Sequence, residues 1–449
     1  MACLTAAGAK QTILRPRRFH YPHASGKANG TRQAPPSSEI RHLWRADLIC
    51  PVSSPPIRGG AVLTCGGRVE ALGPEAEIRS SGQVVQERDF GRTILIPGLV
   101  NAHTHIELSG ARIEPAPMGE WIADLVRETR GWPPHLFLSS SRLGVTTSFE
   151  AGVTCVGDIS ASGQSRQIMS DLGMKGIVFK EVLGLSSAGE DKIVENRMPG
   201  DVSRDTSALR SGVSPHAPYS TSLSLYRSAL NAARENGWPT VTHLAESPDE
   251  VRFIKEGDGP LADMHAALGS SVAGFEPVDC SPVRYLADGG VLDGLDLAVH
   301  CNQTDEADWA LLAGEGISVC LCPRSAAYLG HPLADAAGMR RAGLRLCLGT
   351  DSRASSPSLS LLEEAAALWA ADPELGPEAL LEMCTVNGAD VLGFGDEGVG
   401  QITPGGVADF AAVEPPSGRD DLELTDIFHP GASVRTTVSN GVVRYERGD

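Results

Sequence analysis

The sequence predicts an α/β protein: a (β/α)8 TIM barrel carrying a small β-sandwich domain built from both termini. Three observations predict it. Eight short apolar runs alternate with helix-like stretches across the middle of the chain. Segments rich in β-branched residues, broken by glycine turns, stand at both ends. Polar residues with metal-binding chemistry follow five of the eight runs, where the active sites of such barrels are built.

In chain order, residues 1–39 form an N-terminal extension. The first 38 contain Lys10, Arg15, Arg17, Arg18, Lys27 and Arg32 and no acidic residue. A transit peptide has such a composition, but the segment lacks the apolar stretch of a secretory signal. A disordered tail or an over-extended start is the expectation. Residues 40–93 read as strands and tight turns, with Ala61–Cys65, Gly66-Gly67 and Arg68–Leu72 as a hairpin. Matching chemistry returns within 402–449: Asp409–Val413, Val434–Val438, an Asn440-Gly441 turn and Val442–Tyr445. The two stretches are expected to assemble one composite β domain. The barrel is expected over 94–401, with strands in Ile94–Val100, Val153–Ile159, Gly176–Leu183, Gly212–Pro215, Pro239–His243, Leu295–His300, Ile317–Cys322 and Leu344–Leu348. Leu223–Asn236, Asp305–Ala313 and Leu361–Ala371 are among the expected helices.

Composition narrows the class. At 449 residues the chain has room for one large core and a smaller unit. No run of about 18 apolar residues occurs, so a membrane span is not expected. A formal charge of -18 argues against a nucleic-acid polymer, whose phosphates call for a basic face. A small-molecule substrate is the simpler expectation. Ten cysteines are scattered without a C-x-x-C pair, several in apolar runs such as Ile317–Cys322. They read as buried free thiols in a reducing cytoplasm.

The chemistry lies after the runs. Asn101-Ala-His-Thr-His105 closes the first, His216 follows the fourth, His243 and Glu246 the fifth, His300 the sixth and Asp351 the eighth. Histidines at i and i+2 of a strand face one side, so His103 and His105 can hold one ion together. A third imidazole and a carboxylate would complete a zinc-type site with one position left for water. Taken singly, each histidine is more often a hydrogen-bonded structural residue; five at strand ends change that balance. His105-Ile-Glu107 also matches half of a cytidine-deaminase signature, but Cys320-Leu-Cys322-Pro323 has the wrong order and spacing for the other half.

With these residues in place, the sequence resembles the amidohydrolase superfamily. The likeness is carried by Pro97–His105, Ser214-Pro-His-Ala-Pro-Tyr219, Thr242-His-Leu-Ala-Glu246, Val299-His-Cys-Asn302 and Gly349-Thr-Asp-Ser352. It is greatest for the nucleoside-deaminase branch and spans about residues 44 to 445. The resemblance implies that His103, His105, His243 and Asp351 bind the metal. It implies Glu246 as proton shuttle, His300 orienting the water, and His216 as a substrate contact. Asp351 is the expected acceptor of the water proton, which makes it catalytic as well as a ligand. Binuclear members carry a lysine at the end of the fourth strand, where this chain has His216. One divalent ion is therefore expected, with zinc ahead of iron. Lys180, after the third run, reads as structural or pocket-lining.

Two further substrate contacts are expected, each beside a plainer reading. Glu107 either meets a hydroxyl or amine of the substrate or is a structural carboxylate. Arg324, in Cys322-Pro-Arg-Ser325, either pairs with a substrate carboxylate or is bound within the scaffold. The expected reaction is hydrolytic deamination of the adenine ring of a nucleoside such as aminodeoxyfutalosine, S-adenosylhomocysteine or methylthioadenosine. Guanine- or pterin-type deamination and triazine dechlorination use the same machinery, and a non-catalytic homologue is a third class. A cytoplasmic homo-oligomer, dimer or tetramer, is the remaining expectation.

Overall fold

The computed structural model describes residues 40–80, 86–185, 205–272, 274–416 and 421–448. The N-terminal extension read from the sequence lies outside the described residues, as does Cys3.

The N-terminal β segment builds β1 (Arg41–Ile49), β2 (Ile57–Cys65), β3 (Arg68–Pro74), β4 (Gln86–Asp89) and β5 (Ile94–Pro97). β2 and β3 pair antiparallel through a two-residue turn in which Gly66 and Gly67 both take left-handed angles, φ 56° and 79°. Only such angles match the twist of the flanking strands, which is why this hairpin carries a glycine pair.

Eight parallel strands follow in two sheets. One contains β6 (Leu99–Thr104), β7 (Val153–Ser160), β8 (Lys175–Val182) and β9 (Leu209–Pro215). The other contains β10 (Val241–Leu244), β11 (Leu297–His300), β12 (Ser318–Leu321) and β13 (Leu346–Leu348). Every residue of β7 is buried, as expected of a parallel strand covered on both faces. The sheets touch at both edges: a parallel bridge joins Val213 to Thr240, and another joins Thr104 to Asp351. Helices fill the crossovers, including Leu223–Asn236, Glu306–Glu315 and Leu361–Ala371. Ser222, Asp305 and Ser360 cap these three by accepting backbone N–H groups.

The chain then returns to the first sheet with β14 (Phe410–Glu414), β15 (Ser433–Ser439) and β16 (Val442–Glu446). The order β16-β15-β14-β5-β1-β2-β3, with β4 also on β1, makes one hydrogen-bonded sheet from the two ends of the sequence. Trp44 stacks on Phe90 at 6.0 Å and meets Phe410 edge-on at 5.2 Å, packing N- and C-terminal residues together.

The apolar run Ile94–Val100 is divided. Ile94–Pro97 pairs with β1 and β14, and only Leu99 onward enters the parallel sheet. An uninterrupted apolar run holds no signal for that change of partner; Gly98 marks it, its N–H bonded to the carbonyl of Asp409. Beside this joint the buried ammonium of Lys175, at the start of β8, lies 2.6 Å from the Asp409 carboxylate. The cysteines of the described residues are free, and seven of them are buried. Among the described residues no helix is long and apolar enough to cross a membrane.

Candidate active site

The C-terminal ends of the parallel strands converge on a group of imidazoles. His103, from β6, lies at the centre, fully buried. Its ring is 5.0 Å from that of His105, 4.9 Å from that of His243 and 5.7 Å from that of His300. Asp351, beyond β13, points Oδ1 to within 3.6 Å of His103 Nε2 and 3.5 Å of His105 Nε2. Ligand atoms of His103, His105 and Asp351 lie within 4.8 Å of one another, and so do those of His103, His243 and His300. The structure thus brings together the expected ligands, with His300 beside them.

Two features suit this group to a cation. Both ring nitrogens of His103 are buried without a hydrogen-bond partner, a costly state unless something else occupies them. The orienting bonds also leave the right atoms free. His243 Nδ1 is 2.9 Å from the carbonyl oxygen of His216, which can only accept, so Nδ1 carries the proton and Nε2 keeps its lone pair. Ser325 and Ser355 donate to Asp351 Oδ2 at 2.7 and 2.6 Å, leaving Oδ1 turned to the histidines. The donor set of three imidazoles and a carboxylate fits a zinc-like divalent ion.

Close approach is needed for this. A Cβ added at Gly349 would stand 2.8 Å from the Cβ and carbonyl oxygen of His103 and from Cys320 Sγ. Backbone strain gathers here too: Ala245, His300, Cys301 and Asp351 all have positive φ, between 51° and 73°. Such angles are rare for residues with side chains and cluster where a site dictates the backbone.

Burial tunes the charges. His105 and His300 are pushed down to about 3, so both rings are neutral near pH 7. Burial, with the charges of Asp351 and Glu250 added, holds the Glu246 carboxyl well above the usual carboxylate range. Burial would raise Asp351 as well, but the imidazoles of His103 and His105 outweigh it and hold the group well below that range. Glu246 Oε1 is 3.6 Å from His300 Nε2. Its backbone is pinned by Glu250, whose carboxylate accepts the N–H groups of Ala245 and Glu246 at 3.0 and 2.8 Å. Asn302 Nδ2 donates to the Glu246 carbonyl at 3.0 Å.

These residues open into one cavity. His105, His216, His243, Glu246, His300 and Asp351 line its floor; Met118, Trp121, Ile122, Leu125, Met264 and Leu268 form an apolar wall. Two residues read as candidate substrate contacts are held by protein groups. Arg324 is absent from the lining: its Nη1 is 2.6 Å from Glu363 and 2.8 Å from Ser358 Oγ, so it serves the scaffold. Glu107 does line the cavity, but its carboxylate is occupied. It accepts from Ser160 Oγ at 2.6 Å, from the N–H groups of Ala161 and Ser162 at 2.8 and 3.0 Å, and from Ser162 Oγ. Lys180 donates to the carbonyl of Ala161 and does not line the cavity.

Sequence reasoning missed Ser325, Ser355, Glu250 and Asn302. Glu250 had a local signal, since Ser247-Pro-Asp-Glu250 has the spacing of a helix capping box, whereas Asn302 and Ser325 stood in the motifs Val299-His-Cys-Asn302 and Cys322-Pro-Arg-Ser325 with no role attached.

Comparison with known proteins agrees with this architecture. Residues 94–444 match the sequence profile of the amidohydrolase family. Aminodeoxyfutalosine deaminase of Deinococcus radiodurans is 30% identical over 347 residues, covering 74% of this chain and 81% of that protein. 5-Methylthioadenosine/S-adenosylhomocysteine deaminase of Halothermothrix orenii is 27% identical over 396 residues, covering 80% and 84%. An adenosine deaminase from Xanthomonas campestris, solved with bound zinc, superposes with a TM-score of 0.73 over 90% of this chain and 92% of its own, at 24% identity.

Proposed function

The chain belongs to the amidohydrolase family, and from that premise we propose that it is a metal-dependent nucleoside deaminase that hydrolyses the exocyclic C–N bond of an adenine ring and releases ammonia. One observation carries the reading: the carboxyl groups of Glu246 and Asp351 face one cavity beside the buried cluster of His103, His105, His243 and His300, and their environments push the two in opposite directions. Such pairs divide acid and base roles between them.

His103, His105, His243 and Asp351 would hold a single divalent ion, zinc in the first place. Such an ion supplies Lewis acidity, lowering the pKa of water from 15.7 to about 7. His300, neutral and beside Glu246, orients the attacking water. Protonated Glu246 delivers its proton to the ring nitrogen next to the carbon under attack. Ionised Asp351 takes one proton of the water and returns it to the departing amine, and the remaining hydroxyl proton returns to Glu246 as the ring carbonyl forms. The buried floor keeps bulk water from these transfers.

The cavity also bears on the substrate. Its outer wall is apolar, and among the described residues no lysine or arginine lines it. With Arg324 bound to the scaffold, these features favour a nucleoside with an uncharged substituent, methylthioadenosine, over one bearing a carboxylate. The closed (β/α)8 barrel is part of the same reading, supported by the two bridges that join its sheets. So is the composite β domain, with its boundary moved from 93 to Gly98.

An ammonia-release panel tests the proposal. It contains methylthioadenosine, S-adenosylhomocysteine, aminodeoxyfutalosine, adenosine, guanine and a chlorotriazine. The adenine nucleosides are expected to react, methylthioadenosine with the highest kcat/KM. Reaction of guanine or the triazine alone would overturn it.

A further inference from the structure

Glu181 stands at the end of β8, where its side chain is 12% exposed and lines the cavity. It contrasts with Glu107 in what it touches. Four donors fill Glu107, whereas the contact of Glu181 among the described residues is His216, whose Nε2 lies 3.8 Å from Oε1. That is too long for a hydrogen bond. The pair therefore faces the cavity with unspent hydrogen-bonding capacity. His216 in turn packs against the ligand His243, ring to ring at 4.9 Å. Contacts lead from the ligand His243 to His216 and from His216 to Glu181, and a substrate whose reacting ring lies over the metal ligands extends past the same residues.

We infer that Glu181 and His216 form a hydroxyl-binding subsite that takes the vicinal hydroxyls of the substrate's sugar. The inference rests on the nucleoside-deaminase reading and deepens it. An oxygen set about 2.8 Å from both Nε2 and Oε1 closes a triangle on the 3.8 Å edge, a normal hydrogen-bond distance to each. The second carboxylate oxygen is left for the neighbouring hydroxyl. The tautomer of the histidine decides whether one hydroxyl can bridge the pair. His216 Nδ1 lies 2.5 Å from Ser220 Oγ, itself within reach of the Ala217 carbonyl at 3.2 Å. If the serine proton goes to that carbonyl, Nδ1 must be protonated and Nε2 presents a lone pair. If it goes to Nδ1, Nε2 presents an N–H. A hydroxyl has one proton, so it bridges the pair in the second arrangement, accepting from Nε2–H while the carboxylate takes its proton; in the first it bonds only one of the two. A hydrogen-bonding site of this kind also rejects the analogue that lacks the hydroxyls, because its own groups are then left unpaired.

The test compares ligands with and without the diol on the zinc-loaded full chain. Calorimetry measures inosine against 2′,3′-dideoxyinosine; kinetics measure adenosine against 2′,3′-dideoxyadenosine. The wild type is expected to prefer the ribose form on the order of 10- to 100-fold in Kd and in kcat/KM, the range of hydrogen bonds to a charged group. In Glu181→Ala the preference should fall to within about threefold. Glu181→Gln should be intermediate, since its amide oxygen still accepts one hydroxyl. No preference in the wild type, or an undiminished preference in both variants, overturns the inference. The two readings fail separately: deamination without ribose preference sinks the subsite alone, whereas Glu181-dependent inosine binding without deamination sinks the activity alone.

Discussion

His243 is oriented by the backbone of His216: its Nδ1–H meets the His216 carbonyl at 2.9 Å, and the His243 backbone N–H meets the same oxygen at 2.9 Å. One carbonyl thus sets both the strand end and the ring, and leaves Nε2 as the atom free for a ligand bond. Such orienting bonds typically change metal affinity or activity by about 10- to 100-fold when lost.

The same logic applies to Asp351, which is easier to test because its partners are side chains. Ser325→Ala with Ser355→Ala removes both hydroxyls from Oδ2. The double variant should bind zinc about 10- to 100-fold more weakly, read by competition with a chromophoric chelator. Each single variant should fall between it and the wild type. Unchanged affinity in the double variant would show that the carboxylate is held by other means.

Gly349→Ala should weaken metal binding without touching a ligand. The new methyl group meets the His103 backbone at 2.8 Å, closer than such contacts allow, so β13 or His103 must shift. Metal content after dialysis checks this, and full retention would refute the tight-approach argument.

Lys175 and Asp409 form a buried ion pair between β8 and the start of β14. Removing one partner leaves an uncompensated buried charge, so Lys175→Met should cost about 3–5 kcal/mol in urea unfolding. Lys175→Met combined with Asp409→Leu should recover much of that loss. A single variant as stable as the wild type would mean that the pair contributes nothing.

Asp158 gives a pH signature. Burial pushes its carboxyl up to about 8, while Oδ1 accepts the Ile106 N–H at 2.7 Å. The folded state then holds a proton that the unfolded state releases near its ordinary value of 3.8. The contribution of Asp158 to stability is therefore complete below about pH 4 and is lost as pH rises towards 8, at ~1.4 kcal/mol per unit of difference between the two states. Asp158→Asn keeps the acceptor and cannot titrate. The stability of the variant relative to the wild type should increase from pH 4 to pH 8, and a difference that is flat with pH would refute the shift.

Much of the fold and the site was legible in the sequence, for identifiable reasons. Parallel strands buried on both faces leave continuous apolar runs, so the strand ends, and with them His103, His216, His243, His300 and Asp351, were easy to place. The His-x-His pair declared its own geometry, because alternate residues of a strand face one way. Less legible was anything that depends on partners distant in sequence. Ile94–Pro97 is apolar whichever sheet it joins. Arg324 could be assigned to scaffold or substrate only once Ser358 and Glu363 were seen against it. Glu107 follows the first predicted strand and Glu181 lies within the third, and nothing local distinguishes the two carboxylates. Only the donors supplied by Ser160, Ala161 and Ser162 show which of the two is already satisfied.

The most direct test of the account is the rate of ammonia release from methylthioadenosine by zinc-loaded wild-type protein and by Glu246→Gln, with metal content determined on the same samples. One ion per chain is expected in both proteins, with deamination by the wild type. A kcat about 10²- to 10⁴-fold lower is expected in the variant, the usual worth of a positioned proton donor. A metal-loaded wild type that releases no ammonia, or a variant that works at the wild-type rate, would contradict it.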